Sequence, residues 1–158
     1  MDLAERAREL LRDCTTMALA TLGPDGLWSA DVFFAPRELH ELIFISSPAT
    51  QHARNLMSAA AVTATIHVDV GMDWRAIRGL QLAGTAALIG ESALAAARAA
   101  YFAKFPFAER LLTPGSEVEA KTSGTRFFAL TVERLYLVDN RLGFGVRHAV
   151  DLDRPASQ

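Results

Sequence analysis

The segment Gly23-Pro24-Asp25-Gly26 constrains this chain most, because it separates two short runs that suit strands and little else. Residues 15–22 before it and 27–35 after it are apolar and rich in β-formers, and Gly-Pro-Asp-Gly is a strong turn signal. The three pieces together read as a β-hairpin. The same kind of run recurs at 39–46, 61–68, 76–89 and 125–138, and the tail 142–146 reads as one further short strand. Gly79 and Gly84 fall inside the run 76–89, where glycine marks a bulge or a close approach to the backbone.

Helical periodicity is confined to three places. In 2–13, Leu3, Ala7, Leu10 and Leu11 share a face and Asp2 is the expected N-cap. In 50–58, Ala53, Leu56 and Met57 are expected to face inward. The alanine-rich stretch 91–104 is the third, broken by Phe105-Pro106-Phe107, with a short further turn reaching Leu112. Few strands are separated by helical crossovers, so the sheet should be mainly antiparallel. With six or seven strands, closure into a barrel removes the unpaired edges. The chain therefore reads as an α+β fold, a mainly antiparallel barrel with peripheral helices. No repeat and no linker divides it, so one domain over 1–158 is expected.

Composition excludes several functions. At 51% hydrophobic residues the chain can bury a core, and its apolar runs are too short to span a bilayer as helices. The opening MDLAERARELLRD is charged and amphipathic, without an apolar signal region, which leads us to expect a cytoplasmic protein. A net charge of −2 argues against a nucleic-acid surface. Cys14 is the single cysteine, so no internal disulfide and no cysteine-built metal site is available. His40, His52, His67 and His148 lack the spacing of a helical zinc pair, and no metal is expected. Glycine-rich phosphate loops and G-x-S-x-G elbows are missing, which sets aside nucleotide hydrolases and esterases.

The most informative stretch for chemistry is Ile43-Phe44-Ile45-Ser46-Ser47-Pro48-Ala49-Thr50-Gln51-His52. A buried strand ends in two hydroxyls and a helix starts at a third. Helix N-termini present open N–H groups and a partial positive charge, which suits a phosphate. Ser46, Ser47 and Thr50 can donate to it, and His52 can add a cation when protonated. The competing reading makes Thr50 an ordinary N-cap and His52 a solvated helix residue. Asp31 is also distinctive, because it interrupts an apolar strand between Ala30 and Val32.

These residues resemble the flavin site of the pyridoxamine 5'-phosphate oxidase family. Ile45-Ser46-Ser47 matches the family's strand end, and Thr50-Gln51-His52 its phosphate-binding run, without a gap. The run Ser29-Ala30-Asp31-Val32-Phe33-Phe34-Ala35 is similar to the strand that lines the isoalloxazine ring. The run Ile77-Arg78-Gly79-Leu80-Gln81-Leu82-Ala83-Gly84 is similar to the strand that presents a glutamine or arginine near the flavin. The resemblance covers about 17–89, and 139–145 looks like the ending of a small branch of the superfamily. It implies a split β-barrel, FMN as cofactor and a flavin-dependent oxidoreductase. It also implies a homodimer with the flavin between subunits. The implied cofactor residues are Asp31, Val32, Phe33, Ile45, Ser46, Ser47, Thr50, Gln51, His52 and Gln81. No catalytic residue and no substrate follow from it.

The chain departs from the oxidase pattern where charge matters. Ala30 and Ala35 replace basic residues on the ring strand, and Gln51 and His52 replace two in the phosphate run. Arg75 and Arg78 are candidates to return charge across a dimer interface. The alternatives that these departures leave open are a non-catalytic flavin or haem binder, and a ligand-free interaction module on the same barrel.

Overall fold

Gly23 and Gly26 close the first hairpin, in which β1 (Thr16–Gly23) pairs antiparallel with β2 (Gly26–Arg37) and Thr16 lies opposite Phe33. Gly26 has a φ of 105°, which residues with a Cβ rarely adopt, so glycine ends the Pro24-Asp25 turn. The structure, a computed structural model, describes residues 2–117 and 124–153.

Four more strands complete a ring. They are β3 (Glu41–Ser46), β4 (Ala61–His67), β5 (Arg78–Leu88) and β6 (Arg126–Asp139). All pairings are antiparallel, in the order β3-β2-β1-β4-β5-β6, and β6 pairs back onto β3. The result is a closed six-strand split β-barrel. A seventh strand, β7 (Arg147–Ala149), extends it by pairing with Tyr136–Val138 of β6.

Both interior glycines of β5 answer to close backbone approach. A Cβ on Gly84 would sit 1.9 Å from the Thr131 carbonyl oxygen, and the register with β6 shifts between Ala83 and Gly84. A Cβ on Gly79 would sit 2.3 Å from the carbonyl oxygen of Ile66. The bulge and the tight crossing bend β5 enough for the sheet to close.

The barrel interior is packed by Met17, Leu19, Phe34, Phe44, Ile66, Leu80 and Leu130, all fully buried. Helix α1 (Leu3–Asp13) adds Ala4, Ala7, Leu10 and Leu11 to that core, and Asp2 caps it in a reciprocal pair with Glu5. Helices α3 (Glu91–Lys104) and α4 (Pro106–Leu111) cover the outside instead. Their Ala97, Tyr101, Phe105 and Ala108 pack on Ala35, Ile43 and Phe127, the opposite sheet face from Phe34, Phe44 and Phe128. Lys104 ties the two helical layers together. Its ammonium donates to the carbonyls of Leu11 (3.0 Å) and Cys14 (2.6 Å) at the end of α1 and lies 4.2 Å from the Phe34 ring centre. Burial pushes its pKa down to about 8.

Three local expectations are corrected. Residues 142–146 form turns rather than a strand, because Gly143 and Gly145 adopt φ of 159° and 70°, and the strand follows at Arg147. Residues Trp74–Ala76 form a single 3-10 turn before β5 begins. Met57 is exposed, while Ala53 and Leu56 of α2 (Gln51–Ser58) are buried beside His52 and Asn55. That helix is too short to bury a broad apolar face.

Candidate functional site

A cavity of about 330 Å³ opens between the outer surface of β2 and β3 and the underside of α3–α4. Asp31, Val32 and Phe33 form one wall. Ile45, Ser46 and Ser47 come from the end of β3, and His52 from the first turn of α2. Tyr101, Phe107, Leu111 and Leu112 close the opposite side. The aromatic side chains support one another edge to face, with Phe33 5.3 Å from Phe105 and 6.1 Å from Phe107 between ring centres. Phe33 and Phe107 still expose 46% and 42% of their surface, so both rings have area left for a ligand. Burial pushes the Tyr101 phenol up to about 12, which keeps it neutral.

The polar end of the cavity is a chain of hydrogen bonds. Thr50 caps α2, accepting from the Ala53 amide at 3.3 Å while its own hydroxyl donates to the Ser47 carbonyl at 2.9 Å. Ser46 Oγ lies 2.9 Å from Thr50 Oγ1 and 2.6 Å from His52 Nε2. His52 is buried, and burial moves its pKa below the usual imidazole value. It is therefore neutral at neutral pH, which corrects the expectation of a cation there. Thr50 is indeed an N-cap, but His52 is not solvated.

The first turn of α2 contains no acidic residue. With the Ala53 amide capped, the first-turn N–H groups of Gln51 and His52 have no acceptor within the helix and remain for a ligand. Arg54 sets a cation beside the helix start without lining the cavity. Its guanidinium folds back to the Ala49 carbonyl and donates to Gln51 Oε1 at 2.8 Å, beside the helix start.

The cavity thus gathers Asp31, Val32, Phe33, Ile45, Ser46, Ser47 and His52, with Thr50 bonded to it through Ser46. It does not gather Gln51 or Gln81. Gln51 donates to Asn55 Oδ1 at 2.8 Å on the flank of α2, in a run that continues to Thr21. Gln81 faces outward from β5 in a separate groove of about 280 Å³ with Thr63, Thr65, Arg134, Tyr136 and Arg147. Arg75 sits over the Trp74 ring at 4.4 Å and Arg78 beside Asp139, so neither reaches the cavity of its own chain. Sequence reasoning missed Tyr101, Phe107, Leu111, Leu112, Thr125 and Arg54. The only sequence signal for the α4 wall was Pro106, which starts that helix at its first position.

A closed six-strand barrel with its cavity on the outer seam of β2 and β3 defines a split β-barrel protein. The profile of the pyridoxamine 5'-phosphate oxidase family matches residues 3–139, and the chain belongs to that family. No curated protein matches the sequence at a significant level. Among solved structures, the chain is similar to a heme binding protein from Mycobacterium smegmatis, at 24% identity and a TM-score of 0.75. That match covers 95% of this chain but 58% of the other, so the chain spans less than two thirds of that relative's length. It is also similar to the heme storage protein HutZ from Vibrio cholerae, at 20% identity and a TM-score of 0.63, over 87% of this chain and 95% of that one. A third is an FAD-binding protein from Mesorhizobium loti, at 13% identity and a TM-score of 0.64, over 85% and 92%. At these identities the likeness is one of fold.

Proposed function

We propose that this chain binds FMN in the cavity between β2, β3 and α4, and through it acts as an oxidoreductase. One observation carries the reading. Open helix-start amides and the hydroxyls of Ser46, Ser47 and Thr50 stand at one end of a cavity whose other walls are Val32, Phe33, Ile45 and Phe107. A phosphate suits the first end and a flat aromatic ring suits the second. The residues therefore fit the group, although neutral donors carry most of the work that arginine and lysine do in the oxidase. Bound FMN would supply hydride and electron chemistry. The chain's own contribution is to hold the phosphate, orient the ring against Asp31–Phe33 and keep water from its apolar face.

Haem is the rival, since two of the similar structures are named for it. The hydrogen-bonding of His52 favours flavin. It is the one imidazole lining the cavity among the described residues, and its Nε2 is engaged with Ser46 and lies 3.3 Å from Thr50 Oγ1. A homodimer belongs to the same reading, because Gln81 stands outside the cavity of its own chain. No helix among the described residues is long and apolar enough to cross a membrane.

The test is the absorption spectrum of the purified protein, followed by titration with FMN and with haemin. Bands at about 370 and about 450 nm, with FMN fluorescence quenched on titration, support the proposal. A Soret band at about 400 nm and no flavin quenching would replace flavin with haem. Quenching without reoxidation of reduced nicotinamide would leave a flavin carrier rather than an oxidoreductase.

A further inference from the structure

The cavity wall opposite β2 and β3 differs in chemistry from the polar end at the start of α2. Helix α3 gives it Tyr101, α4 gives Phe107, Ala108 and Leu111, and Leu112 follows directly after α4. The side chains of this wall are apolar except for one atom, the Tyr101 hydroxyl. The Tyr101 ring is locked in place. It is 2% exposed and meets the rings of Phe105 at 5.0 Å, Phe127 at 5.8 Å and Phe102 at 6.3 Å between centres.

The Tyr101 hydroxyl has no hydrogen-bond partner among the described residues. It is not sealed within protein either, so it opens on the cavity that Tyr101 lines. Buried tyrosine hydroxyls ordinarily find a partner. An unbonded one, held rigid at a cavity wall, marks where an acceptor arrives from outside. Burial pushes the phenol up to about 12, so the group keeps its proton and can donate it in a hydrogen bond.

Charge restricts what that acceptor can be. Asp31 is the one charged side chain lining the cavity among the described residues, since His52 is neutral. The hydroxyls and helix-start amides that suit an anion stand at the other end, at Ser46, Ser47 and the first turn of α2. An anion brought against Phe107, Leu111 and Leu112 gives up its water for a single neutral donor, which costs more than it gains. An uncharged carbonyl gives up far less. Phe107 also keeps 42% of its surface open, enough to pack against a second ring.

We infer that the α3–α4 wall binds an uncharged, flat aromatic compound whose carbonyl oxygen accepts a hydrogen bond from Tyr101, and that it excludes anionic compounds of the same shape. This names the substrate class of the proposed oxidoreductase, and it rests on that reading for turnover but not for binding. Tyr101 is a specificity residue in this site. Phe107 and Leu111 supply apolar area, and the hydroxyl supplies the choice of functional group.

Three naphthalenes test it: 2-acetylnaphthalene, 2-ethylnaphthalene and 2-naphthoate, which are a ketone, a hydrocarbon and a carboxylate of similar shape. Equilibrium dialysis against the protein, first as isolated and then saturated with FMN, gives their dissociation constants. Tyr101→Phe should weaken the ketone about three- to tenfold, the worth of one net hydrogen bond, and leave the hydrocarbon within about twofold. The carboxylate should bind the parent at least about tenfold more weakly than the ketone. Because the hydroxyl has no partner in the protein, Tyr101→Phe should unfold at the urea concentration of the parent, which separates lost selectivity from lost structure. Ketone and hydrocarbon responding equally to Tyr101→Phe, a carboxylate that binds as tightly as the ketone, or a ketone that does not bind up to its solubility would each overturn the inference. FMN separates the two readings. If the ketone binds through Tyr101 but FMN does not bind, the cofactor proposal falls and the wall site stands. If FMN binds and displaces the ketone, the wall belongs to the flavin ring and the inference falls alone.

Discussion

Ser46 Oγ lies 2.6 Å from His52 Nε2, in a cluster where burial holds the imidazole below its usual pKa and so neutral. Each hydroxyl has one proton to give. That of Thr50 goes to the Ser47 carbonyl, so Ser46 must donate to Thr50, and His52 must donate its Nε2 proton to Ser46. The cluster satisfies its own donors with a neutral imidazole. An incoming phosphate has to turn the Ser46 and Thr50 hydroxyls outward, and the helix-start amides offer it an immediate foothold.

The pH dependence follows from that neutral state. The unfolded chain takes up a proton on His52 below about pH 6.5, whereas burial lowers the value in the folded protein. The stability associated with the neutral ring is therefore fully present above about pH 6.5 and is lost as pH falls toward the lowered value. NMR titration should show the His52 ring protons moving at a pH below the ordinary imidazole value of about 6.5. His52→Phe should flatten the loss of stability in this range. A His52 midpoint at or above 6.5 would contradict the buried hydrogen-bonded ring.

Flavin affinity should follow the same geometry. Thr50→Ala removes both the α2 cap, worth about 1 kcal/mol of stability, and a phosphate donor. Loss of one hydrogen bond to a charged group costs about 1.5–3 kcal/mol, so FMN binding should weaken by roughly ten- to a hundredfold. Thr50→Ser should keep most of both. Because His52 is neutral, FMN affinity should stay level between about pH 7 and pH 8.5 rather than fade above the ordinary imidazole value. Fluorescence titration of the double variant Thr50→Ala/His52→Ala decides the matter: unchanged affinity would place the phosphate elsewhere.

The strands were legible because turn residues and strand residues alternate along the chain, and each misreading has a local cause. Apolar Leu142, Phe144 and Val146 resemble a strand, but the glycines between them turn the backbone. The polar half of the cavity was legible as well, since one strand end and one helix start are contiguous in sequence. Its other half was not. Tyr101, Phe107 and Leu111 arrive from a helix pair far along the chain, and α3 carries alanines on nearly every side, so no periodicity marks the face that packs on β2 and β3. Gln81 was placed near the flavin by the family resemblance alone, and alternation along β5 sets it in a separate outward groove instead.

Gly84 supplies a stability test of barrel closure. A methyl group there would sit 1.9 Å from a main-chain carbonyl that cannot swing away without breaking the β5–β6 ladder. Gly84→Ala should cost at least about 2 kcal/mol. Gly90 is the control, because its φ is −70° and no atom lies within 4 Å of the added methyl. Gly90→Ala should stay within about 0.5 kcal/mol of the parent. Urea unfolding measures both, and equal costs at the two positions would show that close approach at the bulge does not limit β5.

Asp139 supplies the last test, at the junction of α1 and the end of β6. Its carboxylate is buried and accepts from Arg141 Nε at 2.8 Å, Arg141 Nη2 at 2.6 Å and Arg6 Nη1 at 3.3 Å. The Arg141 hydrogen bonds hold its pKa below the usual carboxylate value, with Arg6 adding a smaller share. The stability this confers is present above the unfolded value of about 3.9 and is lost as pH falls through the lowered folded value. Both arginines are partly solvated, so Asp139→Asn should cost about 1.5–3 kcal/mol at neutral pH. The parent should then lose more of its stability than Asp139→Asn as pH drops from about 4 to about 2, and the two unfolding curves should converge. Curves that stay parallel across that range would mean that Asp139 holds α1 to β6 by shape alone, without a contribution from its charge.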